Sequence, residues 1–576
     1  MTIDAELRAR AQTWLDADPD PLSRAELQGV LDGGDEATLR ERLTPLTFGT
    51  AGLRGAVGAG SGRMNLAVVL RAASGIARYV LDTHAARTAA PPLVVIGFDA
   101  RPTSRAFAEA SAGVLLAAGV RVVAFAEPVA TPLVAFLGRA RGAAATIVVT
   151  ASHNPRGDNG YKVYGDDAVQ ITTPVDSEIA RRIEQAPLAR HVPCVAVSFA
   201  GEPHAGLELA RVAEQHAYFA AISAALPAGA AARDLLIAHS ALHGVGTVPL
   251  LRALADAGFS RVESVPEQAE PDGNFPTTPR PNPEEPGTLD LALAYAERRG
   301  SALLLVNDPD ADRLAAAARL NGSLRVLDGN QLGALLADYC LSRPRGPDVP
   351  LVVGSVVSSP LVAALAASAG AHYERTHTGF KWLWHALLAL EAEGAGAACF
   401  AYEEALGYSV YSAVRDKDGI AAGRALAELC ASLSARGSSL FERLHELYAL
   451  HGLWLSGAQS VELAGPGATA RIPACLDALI TSSELCLLGE RVTRRVDYRT
   501  GAAERRPWLG AAPLVELELE SGSLLFVRPS GTEPKLKLYA HVRRSITRED
   551  DLARALEDAR RFATQLLSAL AAALRW

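Results

Sequence analysis

One folding unit recurs three times along this chain: a continuous apolar strand, a short polar loop, then an Ala/Leu-rich helix that stops on glycine. The first copy is Leu93-Val94-Val95-Ile96-Gly97, a loop from Phe98 to Ser104, and a helix ending at Gly119. The second is Leu235-Leu236-Ile237-Ala238, a loop from Ser240 to Thr247, and a helix ending at Gly258. The third is Leu351-Val352-Val353-Gly354, a loop through Ser359, and a helix ending at Gly370. Unbroken apolar strands belong to sheets buried on both faces, and a terminal glycine supplies the left-handed turn that ends a helix. The repetition therefore predicts three related α/β domains.

Each copy is followed by a further apolar strand that runs straight into a polar motif. Thr146-Ile147-Val148-Val149 enters Thr150-Ala151-Ser152-His153-Asn154-Pro155. Leu303-Leu304-Leu305-Val306 enters Asn307-Asp308-Pro309-Asp310-Ala311-Asp312-Arg313. Ala398-Cys399-Phe400-Ala401 enters Tyr402-Glu403-Glu404-Ala405-Leu406-Gly407. Open α/β sheets bind ligands beyond the carboxyl ends of their strands, so three such domains are expected to present three motifs to one cleft. From about Leu455 the pattern changes. Short apolar segments (514–519, 523–527) alternate with polar turns before a long helix over 549–574, which predicts a smaller α+β domain. Residues 266–287 hold seven prolines and are expected to be irregular.

Bulk properties narrow the function classes. A length of 576 residues exceeds one core and suggests about three to five domains. With 49% hydrophobic and 21% charged residues the chain is globular in composition. A net charge of −8 gives no electrostatic footprint for nucleic acid or an anionic membrane, so an anionic substrate must be captured by local cations. The first ten residues lack a signal-peptide core, and no apolar run reaches the roughly 20 residues of a membrane span. Six cysteines stand singly without Cys-x-x-Cys pairs, which reads as buried free thiols in a cytoplasmic protein. Of 56 basic residues only five are lysine, namely Lys162, Lys381, Lys417, Lys535 and Lys537, and all five fall in or beside motif-like segments. A compact ammonium is not interchangeable with a guanidinium, so these positions are singled out.

Asp308, Asp310 and Asp312 alternate at a strand end, where an extended backbone would send the three carboxylates the same way. Such a cluster repels itself unless a hard cation neutralises it, and magnesium suits it. An EF-hand is excluded, because Arg313 and Arg319 stand where glycine and glutamate are required. A phosphoaspartate nucleophile would leave the third carboxylate and the serine loop unexplained. Ser152 is a candidate nucleophile, but a serine hydroxyl needs a base, a metal or prior phosphorylation, and Ser-His-Asn-Pro also reads as simple turn chemistry. Arg528-Pro529-Ser530-Gly531-Thr532-Glu533-Pro534-Lys535 combines hydroxyls, exposed amides and cations as a phosphate cradle; the same residues also fit a charged hairpin turn. Phe48-Gly49-Thr50-Ala51-Gly52-Leu53-Arg54-Gly55 follows no apolar strand and lacks GxGxxG, so a dinucleotide fingerprint fails; no Walker lysine is present either. Arg54 stands as a candidate phosphate contact or an ordinary surface arginine.

Taken in order, residues 49–55, 150–155, 308–313, Gly379-Phe380-Lys381, 403–407 and 528–535 resemble the α-D-phosphohexomutase superfamily, the phosphoglucomutases and phosphomannomutases. Phe380-Lys381-Trp382, Glu403-Glu404-Ala405-Leu406-Gly407-Tyr408 and Asp416-Lys417-Asp418-Gly419 are similar to the branch of long bacterial phosphoglucomutases and animal phosphopentomutases. The resemblance implies three related α/β domains with mixed sheets plus a C-terminal α+β domain like the TATA-binding protein, around a central cleft. It places a phosphoserine loop in 1–205, a metal loop in 206–325, a sugar loop in 326–453 and a phosphate loop in 454–576. It implies that Ser152 is the phosphorylated serine and completes a Mg2+ site with Asp308, Asp310 and Asp312. Arg313 would hold the phosphoserine, and Lys162 would carry a proton beside His153 and Arg54. Glu403, with Glu404, would grip sugar hydroxyls. Lys381, Arg528, Ser530, Gly531, Thr532 and Lys535 would hold the substrate's other phosphate.

The implied reaction passes phosphate from Ser152 to a sugar monophosphate, giving a bisphosphate that turns and returns its other phosphate. Glucose 1-phosphate to glucose 6-phosphate is the expected conversion, with glucose 1,6-bisphosphate as activator. Phosphopentomutase, phosphomannomutase and glucose 1,6-bisphosphate synthase are the alternatives. Ala405 stands where many hexose mutases carry a serine, which leaves the sugar open. A metal-dependent phosphatase would not need the second cradle, and a non-catalytic sensor would not need both nucleophile and triad. Partners are expected to be small sugar phosphates, with no nucleic acid, membrane or obligate protein partner.

Overall fold

The computed structural model describes residues 3–47, 52–84, 90–201, 204–229, 231–462, 468–482, 485–529, 535–547 and 549–574. It contains two compact units. The first comprises Met1–Ala318, Ser323–Val326 and Gly407–Glu428; the second comprises Arg319–Gly322, Leu327–Leu406 and Leu429–Trp576. The polar side chains of 407–428 find their partners in the first unit. Asp416 accepts from Tyr164 Oη at 2.6 Å, Asp418 accepts from Tyr218 Oη at 2.9 Å, and Arg424 donates to the Leu226 carbonyl at 2.9 Å.

The first unit opens with helices Ala5–Ala17, Pro21–Asp32 and Glu36–Arg42, capped by the side chains of Asp4, Asp20 and Asp35. Next comes a six-stranded sheet of β1 (Leu53–Ala56), β2 (Leu93–Phe98), β3 (Arg121–Ala124), β4 (Ala145–Val149), β5 (Asp158–Tyr164) and β6 (Leu207–Leu209), in the order β1-β5-β4-β2-β3-β6. β2 runs parallel to β3 and β4, whereas β5 is antiparallel to β4 and β1, so the sheet is mixed. Val94, Ile96, Ile147 and Val149 lie in one buried core, as their unbroken apolar runs require. Each contributes about 1.5–3 kcal/mol on burial. A second sheet of β7 (Ile237–Ser240), β8 (Val262–Ser264), β9 (Leu303–Asn307), β10 (Leu314–Leu320) and β11 (Ser323–Leu327) has the order β11-β10-β9-β7-β8. The proline-rich stretch 266–287 holds one short 3-10 turn and is otherwise irregular. It is tied to the second sheet where Ser240 Oγ donates to Gln268 and His243 Nε2 meets Thr277 Oγ1, each at 2.7 Å.

In the second unit β12 (Pro350–Ser355), β13 (His372–Thr376) and β14 (Ala397–Glu403) follow the order β13-β12-β14, and the short β15 (Gly407–Ser409) opens the 407–428 stretch that belongs to the first unit. The C-terminal sheet orders β16 (Leu453–Glu462), β17 (Cys486–Leu487), β18 (Glu490–Asp497), β19 (Val515–Leu519), β20 (Leu524–Pro529) and β21 (Lys535–Arg544) as β16-β21-β20-β19-β18-β17, antiparallel throughout. Helix Leu552–Ala573 lays Ala563 and Leu567 against Gly457 of that sheet. The three repeat helices end at left-handed Gly119, Gly258 and Gly370, with φ of 86°, 89° and 67°. The cysteines depart from expectation. All six are free, but only Cys340 and Cys475 are buried, while Cys194 and Cys486 are exposed. Lone cysteines sit on segments whose burial depends on packing that spacing does not encode.

Candidate functional site

β4 delivers its motif into a loop built around one buried ion pair. Arg101 Nε lies 3.2 Å from Asp99 Oδ2, and both side chains are almost fully buried. The rest of the guanidinium donates to the carbonyls of Ser152, Asn154, Pro155 and Asp158 at 2.7–2.9 Å. Asp99 in turn accepts the hydroxyls of Thr150 at 2.7 Å and Ser104 at 2.6 Å. This bracing holds Ser152 at φ 51°, a left-handed conformation that costs a non-glycine residue about 1–3 kcal/mol and recurs at functional sites. Neither Asp99 nor Arg101 was singled out by sequence reasoning. The available signal was their place just beyond the carboxyl end of β2, the position that marked Ser152.

Ser152 Oγ donates to Asp308 Oδ2 at 2.9 Å across 156 residues of sequence and lies 3.1 Å from His153 Nδ1. The three aspartates converge as expected but by a different route. β9 ends at Asn307, and residues 308–312 form a turn with Ala311 at φ 57°, so the turn rather than an extended strand gathers the carboxylates. Their ligand atoms lie within 4.8 Å of one another, all buried. Lys162 Nζ donates to Asp310 Oδ2 at 2.7 Å and Asp312 Oδ2 at 2.6 Å, and Thr131 Oγ1 donates to Asp310 Oδ2 at 2.8 Å. Asp310 Oδ1 and Asp312 Oδ1 have no hydrogen-bond partner among the described residues. Two orphaned carboxylate oxygens in a buried site, beside a third carboxylate and a serine oxygen, fit a hard divalent cation.

The electrostatics follow from burial. Desolvation and then the two neighbouring aspartates push Asp308 up to about 8. Burial alone would lower Lys162, but Asp310, Asp312 and Asp416 outweigh it and hold the amine as an ammonium. Burial, followed by Arg313 and Arg54, drives His153 well below its ordinary value, so it is neutral at pH 7. Arg313 donates its amide to Asp308 Oδ1 at 3.0 Å. Arg54, on β1, donates to Asn154 Oδ1 at 3.0 Å, and its Nε is unpartnered among the described residues.

Lys417 is a further member; the sequence singles it out as one of the five lysines and within the Asp416-Lys417-Asp418-Gly419 pattern, but gives it no role at the site. Its Nζ is 3.1 Å from Asp312 Oδ2 and 3.6 Å from Asp416 Oδ1. The segment lies so close to the aspartate turn that a Cβ on Gly419 would sit 2.1 Å from the Arg313 carbonyl oxygen. Only glycine permits that approach.

The second unit holds its own cluster. Glu403, at the end of β14, accepts the Gly379 amide at 2.6 Å. Lys381, two residues after Gly379, is the second residue of helix Phe380–Ala392 and is buried beside Trp382. Glu404 Oε2 accepts from Ser355 Oγ at 3.0 Å and Ser358 Oγ at 3.1 Å. Arg528 and Lys535 lie on the two arms of the β20–β21 hairpin, where Arg528 faces Lys537 directly. Ser530, Gly531 and Thr532 lie outside the described residues.

Models of the phosphoglucomutase/phosphomannomutase family match all along the chain: α/β/α domain I over residues 45–190, domain II over 216–321, domain III over 328–451 and the C-terminal domain over 494–559. The chain belongs to this family, within the α-D-phosphohexomutase superfamily. It is an enzyme of the phosphomutase kind, which transfers phosphate intramolecularly. The protein named "Probable phosphoribomutase" of Schizosaccharomyces pombe is 34% identical over 99% of this chain and 97% of its own. Mouse phosphopentomutase is 32% identical over 94% and 91%, and mouse glucose 1,6-bisphosphate synthase is 31% identical over 94% and 91%. The open form of Paramecium parafusin, a phosphoglucomutase, shares the fold with a TM-score of 0.69 at 16% identity, covering 92% of this chain and 96% of that one. Among the described residues no helix is long and apolar enough to cross a membrane.

Proposed function

We propose that this mutase moves a phosphoryl group between the anomeric and terminal hydroxyls of a sugar monophosphate by way of phosphorylated Ser152. The observation that carries the proposal is the 2.9 Å contact of Ser152 Oγ with Asp308, beside Asp310 and Asp312. Mg2+ would be held by Ser152, Asp308, Asp310 and Asp312, where it supplies charge neutralisation for the transferring group. In each half-reaction the bond between phosphorus and one oxygen breaks as a bond to the other forms. The serine oxygen and a sugar hydroxyl exchange roles, and one proton moves the opposite way. Lys162, held as an ammonium, and His153, held neutral, flank the serine as its proton-handling groups; Arg54 and Arg313 bring positive charge to the phosphoryl oxygens.

In the second unit Glu403 takes sugar hydroxyls, with Glu404 supporting the same loop. Lys381, Arg528, Lys535 and residues Ser530, Gly531 and Thr532 take the non-reacting phosphate. Arg528 and Lys535 stand on strands β20 and β21 at either end of this segment, and cations beside hydroxyls and a glycine suit an anion, which favours the cradle. Two considerations favour a pentose 1-phosphate over glucose 1-phosphate. Ala405 withholds a hydroxyl from the sugar loop, and several similar proteins carry phosphopentomutase or phosphoribomutase names. Glucose 1-phosphate, mannose 1-phosphate and bisphosphate synthesis remain arms of one test. Ribose, deoxyribose, glucose and mannose 1-phosphates are assayed with Mg2+, with and without the matching bisphosphate. Phosphate on the Ser152 peptide is followed by mass spectrometry. Turnover by Ser152→Ala equal to that of the parent would reject the reading.

A further inference from the structure

The carboxylate of Glu404 is held by two serines of the segment that follows β12, and that segment is itself pinned from the C-terminal sheet. Ser355 Oγ and Ser358 Oγ lie 3.0 and 3.1 Å from Glu404 Oε2 and 2.8 Å from each other, so their two hydroxyl protons serve three contacts, and the Glu404 amide donates to Ser358 Oγ at 3.2 Å. On one side of Ser358, the Val357 carbonyl accepts from His541 Nε2 at 2.8 Å. On the other, the Ser359 amide donates to Asn330 Oδ1 at 2.7 Å. These two anchors are joined through Ser456, whose Oγ lies 2.7 Å from His541 Nδ1 and accepts Asn330 Nδ2 at 2.8 Å.

Each bond from Val357 through His541, Ser456 and Asn330 to Ser359 has one donor and one acceptor. A carbonyl only accepts, so His541 Nε2 carries the proton and Nδ1 accepts from the Ser456 hydroxyl. Ser456 Oγ is then free to accept from Asn330, whose Oδ1 takes the Ser359 amide, while Tyr402 Oη donates to the Ser359 carbonyl at 3.0 Å. His541 is 1% exposed and its ring packs edge-on against Phe526 at 5.7 Å, so no solvent competes for these bonds. Val356 and Val357 themselves join the buried cluster of Tyr498, Leu514 and Phe526. The residue carrying Glu404 is therefore bracketed by two bonds to a single buried relay, with one fixed set of donors and acceptors.

We propose that His541, Asn330 and Ser358 are positioning residues for the Glu403–Glu404 sugar loop, so that residues of the C-terminal sheet set how tightly the enzyme holds the sugar. The inference rests on the reading of that loop as the sugar-binding element. Loss of the relay leaves the reacting groups at Ser152 in place, so its effect falls on substrate affinity rather than on turnover.

The test compares the full-length enzyme with His541→Leu, His541→Gln, Ser358→Ala, the His541→Leu/Ser358→Ala double variant and Glu403→Gln, using whichever of ribose 1-phosphate and glucose 1-phosphate the parent turns over faster. His541→Leu and Ser358→Ala are each expected to raise KM roughly fivefold, the effect of one net hydrogen bond, with kcat within about twofold. The double variant should lose little more than either single one, because both cut the same chain. His541→Gln, which keeps an amide donor for Val357, should recover most of the loss. A purely structural role would lower the active fraction and hence kcat while KM stayed put. Unchanged KM in Ser358→Ala overturns the proposal, and does so even if His541→Leu fails to fold. Glu403→Gln separates the two levels: a raised KM there with none in Ser358→Ala sinks the relay and keeps the sugar loop. An unchanged KM in Glu403→Gln removes the sugar loop itself.

Discussion

The Ser152–aspartate cluster and the Glu403–Glu404 loop are both strand-end motifs, yet they are built on opposite principles. Around Ser152 nearly every bond is charged: Arg101 on Asp99, Lys162 on Asp310 and Asp312, Lys417 on Asp312. Around Glu404 the partners are neutral, namely serine hydroxyls, and Glu403 takes the Gly379 amide. Buried charges that lose one partner are left uncompensated, so the first cluster tolerates little change. Hydrogen bonds from neutral donors to a carboxylate are worth about 1.5–3 kcal/mol each, and removing one such donor strands no opposite charge, so the second can be altered stepwise. The contrast matches the division of labour proposed here, with a fixed phosphoryl-transfer centre and an adjustable sugar grip.

The strongest test of the rigid side is Ser152→Ala, expected to lower kcat/KM by at least about 10^4-fold while the fold survives. A fall comparable with that of a sugar-loop variant would erase the contrast. Next, Arg101→Met should cost about 3–5 kcal/mol of folding stability, because it strands Asp99 and unties four carbonyls. Denaturant titration reads this directly, and a loss below about 1 kcal/mol would mean the ion pair does not brace the loop.

Acid stability probes one buried histidine in each unit. Burial lowers both His239, in the first, and His541, in the second, to about 4. A group titrating near 6.5 in the unfolded chain and near 4 in the folded one stabilises fully above pH 6.5 and loses that contribution as pH falls toward 4, because the unfolded chain takes up the proton first. Each histidine thus accounts for roughly 3 kcal/mol across that window. The parent should lose stability from pH 6.5 to 4, and His541→Gln should flatten part of the slope; an unaltered slope would assign the acid sensitivity elsewhere. The smallest effect belongs to the adjustable side. Glu403→Gln should raise KM about tenfold with kcat nearly preserved, and a kcat loss instead would place Glu403 in the transfer step.

Some of this architecture was readable along the chain. Apolar runs of four or five residues, each followed by a helix with a terminal glycine, could only be buried α/β units, and β2, β7 and β12 fall on them. The aspartate spacing was equally informative, although the residues meet through a turn at Ala311 rather than along a strand. The Ser152–Asp308 contact was reachable only because motif order resembled a family, since no local pattern links two residues so far apart.

By itself the sequence determined periodicity, and periodicity decides which local element forms and at which strand end a motif must lie. Only the tertiary structure decided which charges share a burial site. It drew Arg101 under four carbonyls, set Lys417 against Asp312, carried 407–428 into the first unit and joined His541 to the segment beside Glu404. The physical reason is that hydrogen bonds and ion pairs between distant segments depend on distance and desolvation in three dimensions, and neither leaves a trace in the spacing of residues along one chain.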